Sequence, residues 1–498
     1  MSYVIGVDLG TSAVKLLLVN QVGEVVLEVS KEYPLLHGKA GYSEQYPDDW
    51  VRQTLAGLKE IVATFSGDPE EIEGISFSGQ MHGLVLLDET HKPLRPAILW
   101  NDTRTTAECK AIYEKLGVEN VHKATKNPVL EGFTLTKLLW VQTHEPELYA
   151  RTSVFMLPKD YVRLKLTGEV HTDFSDAAGT LLLDIEKKQW NDEMCKSFQI
   201  KPSMCPPLVE AQAEVGTLTT EIAAETGLSA SLRVFAGGAD NACGAIGAGV
   251  LEEGKTLVSI GTSGVVLSYE ASGSKDFAGK VHYFNHGAPG VFYTMGVTLA
   301  AGHSLSWFRQ TFSEGKPFKE LLEGIETIPP GSDGLLFTPY LTGERTPHVD
   351  AAIRASFIGI DARHTEGHFV RAVLEGITFS LRESLEVFRS QGKEITEVVS
   401  IGGAVKNKQW LQMQADIFNV DIVKLAGDQG PGMGAAMLAA VGSGWFESLR
   451  DCAASFLKQE AIYHPNPDHV HVYNQLFAFY QDVYPATAKL SQKLANFR

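Results

Sequence analysis

The chain has 498 residues, more than a single hydrophobic core serves, so two or more domains are expected. Its 44% hydrophobic and 21% charged content is ordinary for a globular protein, and 43 Lys and Arg against 60 Asp and Glu leave a formal charge of −17. That acidic balance argues against a nucleic-acid or anionic-membrane partner, and it requires any phosphate site to be built locally from amides, hydroxyls and metal.

The first residues, Met1 to Asp8, lack a basic segment and a small-residue cleavage site, so no secretory signal is expected. No run of about 18 apolar residues predicts a membrane span. Five cysteines (Cys109, Cys195, Cys205, Cys243 and Cys452) form no C-x-x-C pair. Free thiols in a reducing cytoplasm are expected, with neither disulfides nor zinc.

Residues 4–29 read as a three-strand meander, turning at Gly10-Thr11-Ser12 and at Asn20-Gln21-Val22-Gly23. Residues 47–65 carry Trp50, Val51, Leu55, Leu58, Ile61 and Val62 at helical spacing. Residues 72–79 read as a strand entering Gln80-Met81-His82-Gly83, and helices are expected at 105–116 and 134–143. The later half predicts a helix near 298–312, a long helix at about 366–390 and a strand at 396–401 ending in Gly402-Gly403. Another helix is expected to begin near Asn407. A small-residue helix near 434–442 follows the turn Gly427-Asp428-Gln429-Gly430-Pro431-Gly432. Strands alternating with helices in both halves predict an α/β architecture, divided into residues 1–245 and 246–498 with a cleft between them. The join is expected to be short and ordered, between about 243 and 255.

One segment recurs at half-length. Val7-Asp8-Leu9-Gly10-Thr11-Ser12-Ala13-Val14 is nearly repeated as Val258-Ser259-Ile260-Gly261-Thr262-Ser263-Gly264-Val265. Each copy reads as strand, tight turn and returning strand, with N–H groups and hydroxyls at the tip that suit phosphate oxygens. Two such turns can clasp a polyphosphate. Only the first carries an acid, Asp8, and one carboxylate beside phosphates suggests a single Mg²⁺. Lys15, on the returning strand, reads equally as a phosphate contact and as a solvated lysine.

Three further constellations stand out. Ala236-Gly237-Gly238-Ala239-Asp240-Asn241 places an acid between glycines and a small-residue helix. There it can accept a hydroxyl proton as that oxygen attacks phosphorus, or simply cap the helix. His82, between a strand and Gly83, reads as a polyol contact or as a structural histidine. Trp100-Asn101-Asp102-Thr103-Arg104 combines an aromatic wall with an amide, an acid and a guanidinium, which suits a sugar and equally a buried Asp102–Arg104 salt bridge. Gly402-Gly403 would let a base or ribose approach the backbone, or would serve strand-to-helix packing.

These residues resemble the FGGY family of carbohydrate kinases along essentially the whole chain. Phe133 to His144 fits the family's first pattern. Ala355 to Ile360 followed by His368 to Glu375 fits the second. Gln80-Met81-His82-Gly83 with Trp100-Asn101-Asp102-x-Arg104 is similar to the branch acting on ketopentoses, and the Arg-Glu pair of the glycerol-specific branch is absent. The resemblance implies two tandem actin-like (ribonuclease-H-like) domains with ATP and Mg²⁺ between them, D-xylulose as the first-ranked acceptor, and a homodimer by analogy. It implies Asp240 as proton acceptor and Asp8 as the metal residue. Met81, His82, Trp100, Asp102, Arg104, Asp240 and Asn241 would line the sugar site. Thr11, Ser12, Lys15, Gly261, Thr262, Gly402, Gly403 and Asn407 would lie around the nucleotide. One departure is Ala239, where relatives often carry glycine.

Overall fold

A computed structural model describes residues 2–427 and 430–498. The meander is present as strands Tyr3–Leu9, Ala13–Asn20 and Val25–Glu32. Its second turn closes where the Asn20 side-chain oxygen accepts from the N–H groups of Val22 and Glu24 (3.1 and 2.9 Å). The amphipathic segment forms helix Pro47–Thr64, which buries Trp50, Leu58 and Ile61 against the second and third strands. Ile72–Gly79 then pairs in parallel with the first strand.

The first sheet runs Glu214–Thr217, Arg233–Phe235, Ile72–Gly79, Tyr3–Leu9, Ala13–Asn20, Val25–Glu32, with Gly238–Ala239 also beside Ile72–Gly79. The second runs Gln459–Tyr463, Asp421–Leu425, Ile395–Gly402, Gly254–Ile260, Gly264–Glu270, Phe292–Thr298, His282–Asn285. Strand for strand the two agree. An antiparallel edge is followed by three parallel strands and then by an antiparallel meander. The second sheet adds one outer strand, His282–Asn285. This is the duplication that the repeated hairpin predicted, in the actin-like arrangement that the family resemblance implied.

The expected helix near 298–312 begins only at Gly302, because Phe292–Thr298 is a strand whose alternating side chains sit on a buried sheet. The helices at 106–116, 134–144 and 366–390 match their expected spans closely. The small-residue helix is longer than expected, Gly430–Gly442. Asp428 and Gln429, in the turn before it, lie outside the described residues.

That helix does not stay with its own sheet. It packs on Tyr3–Leu9 and Ile72–Gly79 of the first sheet and crosses helix Asp240–Gly247. The crossing is close enough that a Cβ on Gly434 would lie 1.9 Å from the Cys243 carbonyl oxygen, so only glycine fits. Val4, Leu17, Phe235, Ile246, Met437 and Leu449 share one buried cluster here, and the two halves are joined through it. Between Gly247 and Gly254 the chain passes directly from the crossing helix into the second sheet. No described helix is long and apolar enough to cross a membrane.

Candidate active site

The first hairpin turn is tethered on every side. The Thr11 hydroxyl accepts from the Trp100 indole N–H (3.0 Å) and donates to Gln80 Oε1 (3.4 Å). The Thr11 carbonyl accepts from Gln45 Nε2 (2.6 Å), and the Gly10 carbonyl accepts from the Tyr33 hydroxyl. Ser12 is exposed at the tip. Lys15 stands directly across the strand pair from Asp8. Because Leu9 is in register with Gly79, the turn lies beside the loop carrying Met81 and His82.

That loop opens onto a cavity of about 290 Å³, lined by Met81, His82, Trp100, Asp102, Asp240 and Asn241 and, from the second half, Ser263, His282, Met295 and Arg345. Six of the seven residues expected at a sugar site therefore meet here. Arg104 does not line the cavity. Its guanidinium is spent on Asp102 (2.7 and 2.9 Å) and Glu44 (2.7 Å), and it lies flat over Tyr42, 3.6 Å from the ring centre. Of the two readings of that pair, the structure shows the buried salt bridge. Both Asp102 oxygens are occupied, since Ser43 N also donates to one (2.6 Å). The pair frames the loop whose Trp100, 46% exposed, walls the cavity mouth.

His82 is held in a left-handed conformation (φ 68°) that non-glycine residues rarely adopt. The fully buried Lys137 ammonium donates to its carbonyl (2.8 Å), as does the Thr134 hydroxyl (3.1 Å). Its Nδ1 lies 2.7 Å from the Gly179 carbonyl oxygen, and a carbonyl only accepts, so Nδ1 carries the proton and Nε2 is an acceptor. Burial first, with Lys137 and Arg345 adding to it, holds the His82 pKa down to about 3, so the ring is neutral. Phe133 packs against it at 4.6 Å.

Asp240 opens helix Asp240–Gly247, and Ala239 before it has φ −56°, a value alanine adopts freely, so that departure costs nothing. Oδ1 accepts from the Asn241 N–H (2.7 Å) and from Asn241 Nδ2 (2.9 Å). Oδ2 has no partner among the described residues. Burial, followed by the negative charge of Asp8, pushes the carboxyl up to about 7. Asp8 itself is pushed up to about 6 by burial, opposed by the neighbouring Ser78 hydroxyl and the charge of Lys15. The hydroxyl-bearing turn thus lies beside two neighbouring, poorly neutralised acids. Behind Asp240, Ala239 N donates to Ser175 Oγ (3.0 Å), which donates to Asp173. Asp173 is in turn bound by the buried Lys159 (2.8 Å).

The second hairpin is open. Gly261, Thr262 and Ser263 are exposed, and their carbonyls receive the first N–H groups of helix Gly302–Phe312 (Gly302 N to Gly261 O, 2.8 Å; His303 N to Thr262 O, 3.0 Å). Gly402 is paired with Ile260, as Gly79 is with Leu9. A Cβ on Gly402 would lie 2.6 Å from the Ile260 carbonyl oxygen, which is strand packing, whereas Gly403 is exposed at the turn. Asn407 caps helix Lys408–Phe418 by accepting from Trp410 N (2.9 Å).

Arg345, His282 and Glu131 also line the cavity, and sequence reasoning missed them. The only signal for Arg345 was a charged residue after a glycine in Gly343-Glu344-Arg345-Thr346-Pro347. No local pattern tells that this loop of the second half reaches the cavity.

Neutral acceptors suited to hydroxyls, an acid with a free oxygen and adjacent hydroxyl-bearing turns define a phosphotransferase acting on an alcohol. Residues 3–247 match the N-terminal domain of the FGGY family of carbohydrate kinases, and residues 256–443 match its C-terminal domain. The chain is 59% identical to a xylulose kinase of Bacillus subtilis (strain 168) over 498 residues, covering all of both chains. The solved ligand-bound xylulose kinase of Lactobacillus acidophilus is 28% identical (TM-score 0.93), with 99% of this chain and 100% of that one covered. A gluconate kinase from the same organism is 27% identical (TM-score 0.93), with both chains fully covered. The protein belongs to the FGGY family of carbohydrate kinases. It is a sugar kinase, and that family implies ATP as its phosphoryl donor.

Proposed function

We propose that the protein transfers the γ-phosphoryl group of ATP to the terminal hydroxyl of D-xylulose, with Asp240 accepting the proton. The observation that carries this is Asp240, with Oδ2 free among the described residues, on a cavity whose His82 offers its Nε2 as an acceptor to a sugar hydroxyl. The 59% identity to a xylulose kinase supports the choice of sugar. The sugar pocket is built on residues 1–245 and completed by His282 and Arg345 of the second half, and the nucleotide belongs to residues 246–498 around Gly261, Thr262, Gly403 and Asn407. Thr11, Ser12 and Lys15 meet the phosphates from the other side. A homodimer and a cytoplasmic location complete the proposal.

The transition state of such a transfer is loose, so positioning and charge stabilisation dominate catalysis. Asp240 orients the hydroxyl early and takes its proton late, as bond formation to phosphorus acidifies it. Asn241 fixes the carboxylate through Oδ1 and leaves Oδ2 to the substrate. Trp100 and the tethered turn align the sugar with the phosphates and shield the reaction from water, the competing acceptor. Mg²⁺ fits beside Asp8. The described residues contain no cluster of three or more metal-ligating side chains, but Mg²⁺ usually takes one or two carboxylates and fills its shell with phosphate and water. The negative charge of Asp8 acts on Asp240, and a cation held by Asp8 would offset that repulsion. When bound, the metal supplies charge neutralisation at the β- and γ-oxygens.

The test is a panel of D-xylulose, D-ribulose, gluconate and glycerol with ATP and Mg²⁺ in a coupled ADP assay, with a no-sugar control. D-xylulose is expected to give the highest kcat/KM, and preference for another acceptor would overturn the substrate. Asp240→Asn is expected to keep the fold and lose about 10²–10⁴-fold in kcat, the range of general-base effects. Turnover at the parental rate would overturn the base.

A further inference from the structure

The sugar cavity is lined by two groups of opposite character, Asp240 and Arg345. The charge acting on Asp240 is that of Asp8, whereas that of Arg345 acts on His82 and His282. Arg345 is the only Lys or Arg among the described lining residues. Among the described residues its guanidinium makes no hydrogen bond or ion pair, although the charges of Glu131 and Glu344 act on it and Glu131 lines the same cavity.

The loop that carries Arg345 is clamped on both sides. Glu344, buried, accepts from Leu299 N (3.0 Å), Arg345 N (2.7 Å) and Ser380 Oγ (3.2 Å). Thr346 N donates to the Val297 carbonyl (3.0 Å), and Val297 N donates back to the Thr346 hydroxyl (3.0 Å). An unpaired five-donor group is thus held rigidly over a cavity whose other polar groups are mostly acceptors. His282 is one of these. Its Nδ1 lies 3.2 Å from the Asn127 side-chain oxygen, which leaves Nε2 as an acceptor like that of His82.

The chemistry of a ketopentose says what such a donor meets. The terminal hydroxyl that receives the phosphoryl group is also the oxygen that would close the furanose ring on C2. The ring form therefore has no acceptor hydroxyl at C5, and only the open chain reacts. With its C5 oxygen at Asp240, an open-chain ketose can present a bare carbonyl, a pure acceptor, to the part of the cavity that Arg345 lines. We propose that Arg345 is a specificity residue that donates hydrogen bonds to the C2 carbonyl of the open-chain ketose and so selects ketose over polyol. This rests on the reading of the site as a ketopentose kinase. Glu131 beside it weighs against a carboxylate as the natural occupant of that part of the cavity.

Arg345→Met keeps much of the side-chain volume and removes the donors, and Arg345→Lys keeps the charge with a single ammonium. For each, kcat/KM is measured for D-xylulose and for the two pentitols formed by reducing its C2 carbonyl, using competitive inhibition constants where a pentitol is not turned over. KM for ATP and the thermal midpoint are measured in parallel. Arg345→Met is expected to lose about 10- to 100-fold toward D-xylulose, the worth of a charged hydrogen bond, and much less toward the pentitols. KM for ATP should stay within about twofold, and Arg345→Lys should restore part of the ketose preference. An unchanged ketose-to-pentitol ratio in Arg345→Met overturns the proposal, as does an equal loss toward both or a matching rise in KM for ATP. If instead the unmutated protein prefers gluconate or glycerol to D-xylulose, the substrate reading fails and the proposal falls with it, a result visible before any variant is made.

Discussion

The two hairpins share one backbone and differ in almost everything attached to it. In the first, Asp8 faces Lys15 across the strand pair, and Ser78 lies on its other side. In the second, Ser259 takes the place of Asp8 and faces Val265, with Ile401 beyond. The first turn is roped to Gln80, Gln45, Trp100 and Tyr33, whereas the second is exposed and, among the described residues, held from outside only by the start of a helix. Duplication therefore preserved the phosphate-ready geometry and left charge in one copy only. A loose transition state between two lobes needs contacts from both, but only the lobe that holds the acceptor needs acids.

The sharpest way to break this comparison is to treat the counterpart residues alike. Asp8→Asn removes the charge next to Asp240 and the carboxylate proposed to hold the metal. A metal's electrostatic contribution of several kcal/mol corresponds to a loss of about 10²-fold or more in kcat. Ser259→Ala should leave kcat within about twofold. Steady-state rates at saturating ATP and Mg²⁺ check both, and equal losses would mean that the hairpins are functionally equivalent.

Stability should be unequal as well. Behind Asp240, Lys159 is bound to Asp160 (2.6 Å), Asp173 (2.8 Å) and Asp176 (3.3 Å), and Arg163 joins Asp160 (2.8 Å), all buried. Burial pushes Asp176 well up, despite Lys159, toward its neutral form. Lys159→Met leaves these acids with Arg163 alone, and breaking such a buried pair costs about 3–5 kcal/mol. The buried Lys393–Glu270 pair in the second half (2.7 Å) is a smaller group, joined only by the partly exposed Lys275 (3.1 Å) and the Tyr269 carbonyl among the described residues, and replacing Lys393 and Glu270 together with apolar residues should cost much less. Urea midpoints for the two variants measure the contrast.

Much of this was legible in the sequence because it is local. The repeated Gly-Thr-Ser segment, the strand ending in Gly79 and the acid after Gly237-Gly238 are each written within a dozen residues, and the fold brings them together. What was not legible is long-range. Arg345 reaches the cavity only through a loop clamped to a strand nearly fifty residues earlier, and helix Gly430–Gly442 packs on a sheet that begins at Tyr3. Arg104 was ambiguous for a related reason. Its immediate neighbours suit a sugar, and only Glu44, Tyr42 and Trp140, all distant in sequence, show that its fork is already occupied.

The smallest expected effect is the most diagnostic, because it reads Asp8 through Asp240. With Asp240 raised to about 7, kcat/KM should rise with pH through that region, since the base must be ionised to accept a proton. The two acids interact, so the limb belongs to the pair as much as to either residue. In Asp8→Asn the residual activity should show the limb at lower pH, yet still above the ordinary carboxylate range, because burial is the larger cause and remains. Stability runs the opposite way. A carboxyl raised on folding contributes fully below its unfolded value of about 4, and the contribution is lost as pH rises through about 7. Asp240→Asn should therefore raise the thermal midpoint at pH 8 more than at pH 5. A midpoint gain that is flat across that range, or a limb that stays in place when Asp8 is neutralised, would show that the acids do not sense each other and that the first hairpin differs from the second in composition alone.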